Sequence, residues 1–157
     1  VERLPAAPHE WIDRASAFTF SFEGQRCQAL SGDCITSALW AAGVRVLGRS
    51  FKYHRPRGVL SLANHDVNAM IQWGAKLNLR GDVTPVQQGM VLRAVNTTGD
   101  LAHDKARFLD KLSRLLPVGF YYKAFYKPKW LFPKWERLFR ALTGLGEVDF
   151  DAPKSTP

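Results

Sequence analysis

The chain has 157 residues, 46% apolar and 23% charged, a globular composition with room for one domain and a real core but not for two large ones. No apolar run approaches the roughly 18 residues that cross a bilayer, and Val1-Glu2-Arg3-Leu4-Pro5 lacks the apolar centre of a secretory signal, so a cytoplasmic protein is expected. The formal net charge of +8 is concentrated in residues 45–57 and 123–140, at +5 each, on a slightly acidic remainder, which points to nucleic acid, a phosphorylated cofactor or an acidic protein surface as partner.

Residues 1–17 read as an N-terminal leader anchored by Trp11 and Ile12 rather than by regular structure. Phe18-Thr19-Phe20-Ser21-Phe22 alternates strictly, the period of a half-buried strand. Glu23-Gly24-Gln25 turns, and Arg26 to Leu30 returns as the second arm of a hairpin. Ser31-Gly32-Asp33 opens a helix, with Asp33 placed favourably against the positive end of its dipole. Ile35, Ala38, Leu39 and Ala42 share one face of that helix, and Gly43 closes it. A hairpin followed by a helix is how a β-grasp domain begins. Further strands are expected at Val67–Trp73, Asp82–Val86 and Met90–Asn96, the last ending in the turn Asn96-Thr97-Thr98-Gly99.

From Asp104 the period becomes helical. Phe108, Leu109, Leu112, Leu115 and Leu116 lie on one face until Pro117, and Asp104 reads as the cap or first turn. A third helix has Pro133 in its first turn, carries Trp135, Leu138, Phe139 and Leu142 on one stripe, and ends at Gly144. The domain boundaries expected are a leader at 1–17, a β-grasp domain at 18–100, a helical, aromatic-rich C-terminal extension at 101–146, and a linker or tail at 147–157.

Cys27 and Cys34 form no zinc pattern and read as two small buried residues rather than a disulfide. Asn64-His65-Asp66 and His103-Asp104 are adjacent residues that do not converge easily, and neither Ser61 nor Cys34 has an evident base. No autonomous catalytic site and no metal site is expected.

The segment Gly48-Arg49-Ser50-Phe51-Lys52-Tyr53-His54-Arg55-Pro56-Arg57-Gly58 stands out. Arg49, Lys52, His54, Arg55 and Arg57 surround two aromatics with no carboxylate among them. Such a segment suits an anionic or electron-rich surface; the plainer alternative is a solvated loop in which Phe51 and Tyr53 pack down. The candidate interface or cofactor-binding residues are Arg49, Lys52, Tyr53, His54, Arg55 and Arg57, the arginines being able to bind carboxylate or phosphate bidentately.

These eleven residues, with Phe22-Glu23-Gly24, Gly32-Asp33-x-Ile35-x-Ser37-Ala38-Leu39, Gly43 to Leu47 and Gly119-Phe120-Tyr121-Tyr122-Lys123, resemble the N-terminal region of the α subunit of heterotetrameric sarcosine oxidase and of related amine, opine and hydroxyproline dehydrogenases. The resemblance runs from about Phe18 to Gly146. It implies an α+β, ferredoxin-like β-grasp domain preceding an FAD- and NAD-binding domain. Some members of that group hold a [2Fe–2S] cluster there through C-x4-C-x2-C and a distant fourth cysteine. The matching positions here are Ser61, Asp66 and Ala69, and a cluster requires Cys, or His at one iron of a Rieske centre. The expectation is therefore a structural or assembly part with no iron–sulfur cluster and no cofactor of its own. Its partner would be the flavin- and NAD-binding subunit or domain of an amine oxidoreductase, with FAD and NAD or FMN in the complex. No Gly-x-Gly-x-x-Gly follows a strand, so the chain does not bind a dinucleotide in the Rossmann manner.

Phe120, Tyr121, Tyr122, Phe125, Tyr126 and Trp130 are too many aromatics for a small domain to bury alone, and are read as a docking surface. Bases also stack on aromatics while lysine and arginine pair with phosphates, so a single-stranded nucleic-acid-binding module is the alternative reading. It ranks second because no RNP, KH or helix-turn-helix pattern is present.

Overall fold

Alternation builds the first hairpin. In the computed structural model, which describes residues 3–51, 53–61, 63, 65–108, 111 and 127–143, β1 (Asp13–Phe22) pairs antiparallel with β2 (Gln25–Ser31). Phe20 and Phe22 turn inward with Cys27 and Ala29, while Arg26 and Gln28 stay exposed. Helix α1 (Ile35–Ala41) buries Ile35, Ala38 and Leu39 completely. It ends as its sequence dictates: Gly43, at φ +83°, and Val44 return their N–H groups to Trp40 and Leu39 at 3.0 and 2.9 Å, which satisfies the last carbonyls.

The sheet is completed by β5 (Met70–Trp73), β6 (Lys76–Arg80) and β7 (Val91–Ala94), in the order β2-β1-β7-β5-β6. The β1–β7 contact is parallel and the others antiparallel. Between α1 and β5 a separate two-stranded ribbon forms from β3 (Gly48–Arg49) and β4 (Pro56–Arg57). Ile71, Leu92 and Ala94 of the sheet meet the helix side chains in one core with Leu47, Ala69, Val86 and Met90. Burying each such Leu or Ile stabilises the fold by roughly 2 kcal/mol. A mixed sheet with few helices makes this an α+β fold, as expected.

Several boundaries differ from expectation. Strand β1 starts at Asp13, inside the supposed leader, and Trp11 is 95% exposed, so it anchors nothing. The leader is held instead by Arg3, whose guanidinium reaches both oxygens of Asp33 at 3.1 and 2.5 Å. Cys34 is half-buried rather than buried, and both cysteines are free thiols. Val67 is exposed and β5 is only four residues long. Residues 82–86 form no strand. The Gly81 and Thr84 carbonyls accept the Thr36 and Ile35 N–H groups at 3.0 Å each, so this turn caps α1 where no side chain does. Asp33 is freed for Arg3, for the Leu30 N–H at 2.9 Å and for the Ser37 hydroxyl at 2.7 Å.

Gly32, at φ +93°, lies where an added Cβ would run into the Trp11 carbonyl oxygen. Gly32→Ala is expected to destabilise the chain by about 2 kcal/mol or more, read as a lower urea midpoint with unchanged slope.

A second compact unit comprises residues 118–157. Its described part is a 3-10 turn, Lys129–Leu131, and helix α2 (Phe132–Thr143), with Pro133 in the first turn as expected. The stripe expected on α2 is only partly covered: Trp135 is half-buried and Leu138 exposed. Of the helix expected after Asp104, the 3-10 turn Lys105–Arg107 is seen, and Leu109 and residues 112–117 lie outside the described residues. Among the described residues no helix is long and apolar enough to cross a membrane.

Candidate functional site

The basic segment is a ribbon fastened to the end of the sheet. Gly48 pairs with Arg57 and Arg49 with Pro56, and the Leu47 N–H donates to the Arg57 carbonyl at 2.7 Å. Its tip closes through Ser50: the Ser50 N–H reaches the Arg55 carbonyl at 2.8 Å, and the Ser50 hydroxyl accepts the Arg55 N–H at 3.0 Å. The Arg49 N–H donates to the Val95 carbonyl at 3.1 Å, and Asn96 Nδ2 to the Arg49 carbonyl at 2.9 Å. Gly48 sits so close to Val95 that an added Cβ would lie 3.0 Å from its carbonyl oxygen.

This geometry divides the six candidates. Arg49 and His54 are 7% and 5% exposed and turn inward. Arg55 and Arg57 are exposed; Arg55 stacks over the half-buried Tyr53 ring at 4.7 Å from its centroid, and Arg57 donates to Asn68 Oδ1 at 2.9 Å. Lys52 lies outside the described residues. So do Phe120, Tyr121, Tyr122, Phe125 and Tyr126 of the expected docking surface. Trp130 is described and 71% exposed, with Lys134 Nζ 5.8 Å from its ring centroid.

The inward pair converges on Asp104, which the sequence marked only as a cap. It is one: Asp104 Oδ1 accepts the Ala106 N–H at 3.1 Å and the Thr98 N–H at 3.0 Å. Its other oxygen accepts from His54 Nε2 and lies 3.5 Å from Arg49 Nε. Burial pushes the Asp104 carboxyl up, but the Thr98 N–H, His54 and the Ala106 N–H outweigh it and hold it below the usual carboxylate range. His103 pairs with Asp100 at 3.0 Å rather than with Asp104.

The positions that the family resemblance sets against cluster ligands, Ser61, Asp66 and Ala69, lie around a second centre. Ala69 is buried, Ser61 half-buried, and Asp66 is 3% exposed. Asp66 Oδ2 accepts the N–H groups of Leu60 and Ser61 at 2.5 and 3.0 Å, and Oδ1 accepts the Asn68 N–H at 2.8 Å. The Asp66 N–H in turn donates to Asp82 Oδ2 at 2.9 Å, and Asp82 is paired with Arg80. Against burial, which raises it, the Ser61, Asn68 and Leu60 N–H groups hold the Asp66 carboxyl below its ordinary value. A side chain that accepts so many backbone donors organises the loop by itself. His65, next to it, points elsewhere, its Nδ1 3.0 Å from the Ala63 carbonyl.

A [2Fe–2S] cluster needs four ligands, at most two of them His. The chain has two cysteines, Cys27 on β2 and Cys34 before α1, and neither lies in this loop. Asp66 is fully engaged by N–H donors. The residues present do not fit the cluster. Among the described residues no group of three His, Cys, Asp or Glu side chains is arranged to hold a metal ion.

Residues 15–97, more than half of the chain, match the family described as 2Fe-2S iron-sulfur cluster binding domain. The chain belongs to that family, and its fold is ferredoxin-like. It is 38% identical over 149 residues to sarcosine oxidase subunit alpha of Rhizobium meliloti (strain 1021), an alignment covering 90% of this chain and 15% of that subunit. It is 34% identical over 89 residues to sarcosine oxidase subunit alpha of Corynebacterium sp. (strain U-96), covering 55% of this chain and 9% of that one. Among solved structures, L-proline dehydrogenase from P. horikoshii aligns at 23% identity with a TM-score of 0.46, over 52% of this chain and 16% of the other. The resemblance to the sarcosine oxidase α subunit is thus shown, and this chain spans 15% or less of the length of these two subunits.

Proposed function

We propose that this chain is a cluster-free ferredoxin-like domain that acts by contact, as a structural and assembly element of a flavin-dependent amine oxidoreductase like those whose α subunits it resembles. In such an enzyme an N-methyl or related group is removed oxidatively from a secondary amino acid, FAD and NAD or FMN being held by other domains or subunits. The observation that carries this reading is Asp66: a buried carboxylate closed in by backbone donors, at a position where the family resemblance implies a thiolate ligand in cluster-bearing relatives. The contact face is the outer side of the ribbon, with Tyr53, Arg55 and Arg57 foremost and Lys52 beside them in sequence. Pro56 stiffens it, which lowers the ordering cost of docking.

Two measurements test this. Anaerobic incubation of the chain with ferrous iron and sulfide is expected to leave it colourless; a brown product with acid-labile sulfide would overturn the cluster-free assignment. Arg55→Glu combined with Arg57→Glu is expected to weaken co-purification with a flavoprotein partner by about tenfold or more while leaving the fold intact, since both side chains are exposed. Unchanged co-purification would remove the ribbon from the interface.

A further inference from the structure

We propose that a groove beside the β1–β2 turn binds a small molecule carrying an oxyanion, a carboxylate or a phosphate ester on an apolar body, with the Arg49 guanidinium as its anchor. This is independent of the contact role above, since neither Arg55 nor Arg57 lines the groove.

The groove is an open concavity of about 630 Å³ between the β1–β2 turn, the stretch that follows α1, and the residues after β7. That is the size of small-molecule sites, which are mostly apolar with a few placed polar groups. Phe22, Val44 and Leu101 supply the apolar wall, and Arg45, Arg49 and Arg107 the cations.

Arg49 is the decisive residue. It is buried, yet its Nε has no hydrogen-bond partner among the described residues. Asp104 Oδ2, at 3.5 Å, is beyond good hydrogen-bond range and already accepts from His54. A buried donor left idle is costly, and in native structures it signals a water, ion or ligand that completes it. The carboxylates that line the groove do not serve it. Glu23 receives the Ala94 and Leu101 N–H groups, one on each oxygen, at 2.7 and 2.5 Å, and Asp100 faces His103. Asp104 supplies the counter-charge of Arg49 from behind, so what the groove is left with is unused guanidinium donor capacity. A guanidinium presents a planar fork of donors that fits a carboxylate or phosphate edge, which sets the ligand class.

Isothermal titration of the 157-residue chain with benzoate, inorganic phosphate and neutral benzamide tests the site. Saturable binding is expected for at least one of the two anions, about tenfold or more tighter than for benzamide. Tighter phosphate assigns a phosphate ester; tighter benzoate assigns a carboxylate. Arg49→Met is expected to abolish the binding. Arg107→Gln, on the exposed rim, is expected to weaken it several-fold without shifting thermal unfolding, so the test holds even if Arg49→Met does not fold. Absence of saturable binding by either anion, or identical binding by Arg107→Gln and the wild type, overturns the assignment.

Discussion

Asp66→Ala is expected to lower the stability of this chain by about 3 kcal/mol, because it strips the acceptor from three backbone N–H groups at once, those of Leu60, Ser61 and Asn68. Each buried donor left without a partner costs roughly 1–3 kcal/mol, and the exposed position of Leu60 lets water recover part of that. Asp66→Asn, which keeps one acceptor oxygen and loses the charge, should fall about halfway. Urea unfolding gives the totals. Amide hydrogen exchange then locates the loss: protection should vanish first at Leu60, Ser61 and Asn68. Equal stability in all three proteins would mean that the loop is shaped by something other than its carboxylate.

Asp104→Ala should be at least as damaging, at about 3–5 kcal/mol. It leaves the buried Arg49 guanidinium without a counter-charge, and it orphans His54 together with the Thr98 and Ala106 N–H groups. The acid response follows from the same groups. Both carboxyls are held below their unfolded value of about 3.9, so their stabilisation is complete above that pH and is lost as pH falls through it toward the folded value. Wild type should therefore lose stability steeply below about pH 4, and Asp104→Asn should start lower but fall less. Parallel acid limbs for the two proteins would contradict this.

Local signals made much of the fold legible. The alternation of Phe18–Phe22, the Ile35/Ala38/Leu39 face and Gly43 placed the hairpin and α1, because each is a short-range periodic or conformational demand. Strand β6 escaped notice because Lys76-Leu77-Asn78-Leu79-Arg80 is half-buried at best and contains Asn78 at φ +56°. Residues 82–86 misled because Val83, Thr84 and Val86 have strand composition, yet their backbone is recruited to the start of α1. In the basic segment, residue type suggested contact but gave no direction. What turns Arg49 and His54 inward is Asp104, which lies 50 residues beyond His54 in sequence. The spacing Asp66-x-Asn68 was the one hint of the loop centre, since an Asp carboxylate readily takes the N–H two residues on.

The parallel seam between β1 and β7 has a bearing on synthesis. Ser21 finds its neighbour Val91 seventy positions later, so the inner edge of the first hairpin stays naked until β7 has left the ribosome. Translation products that stop short of Met90 would carry that open edge into the cell as a template for stray strands, and nascent forms of this domain should be among the more chaperone-dependent of their size.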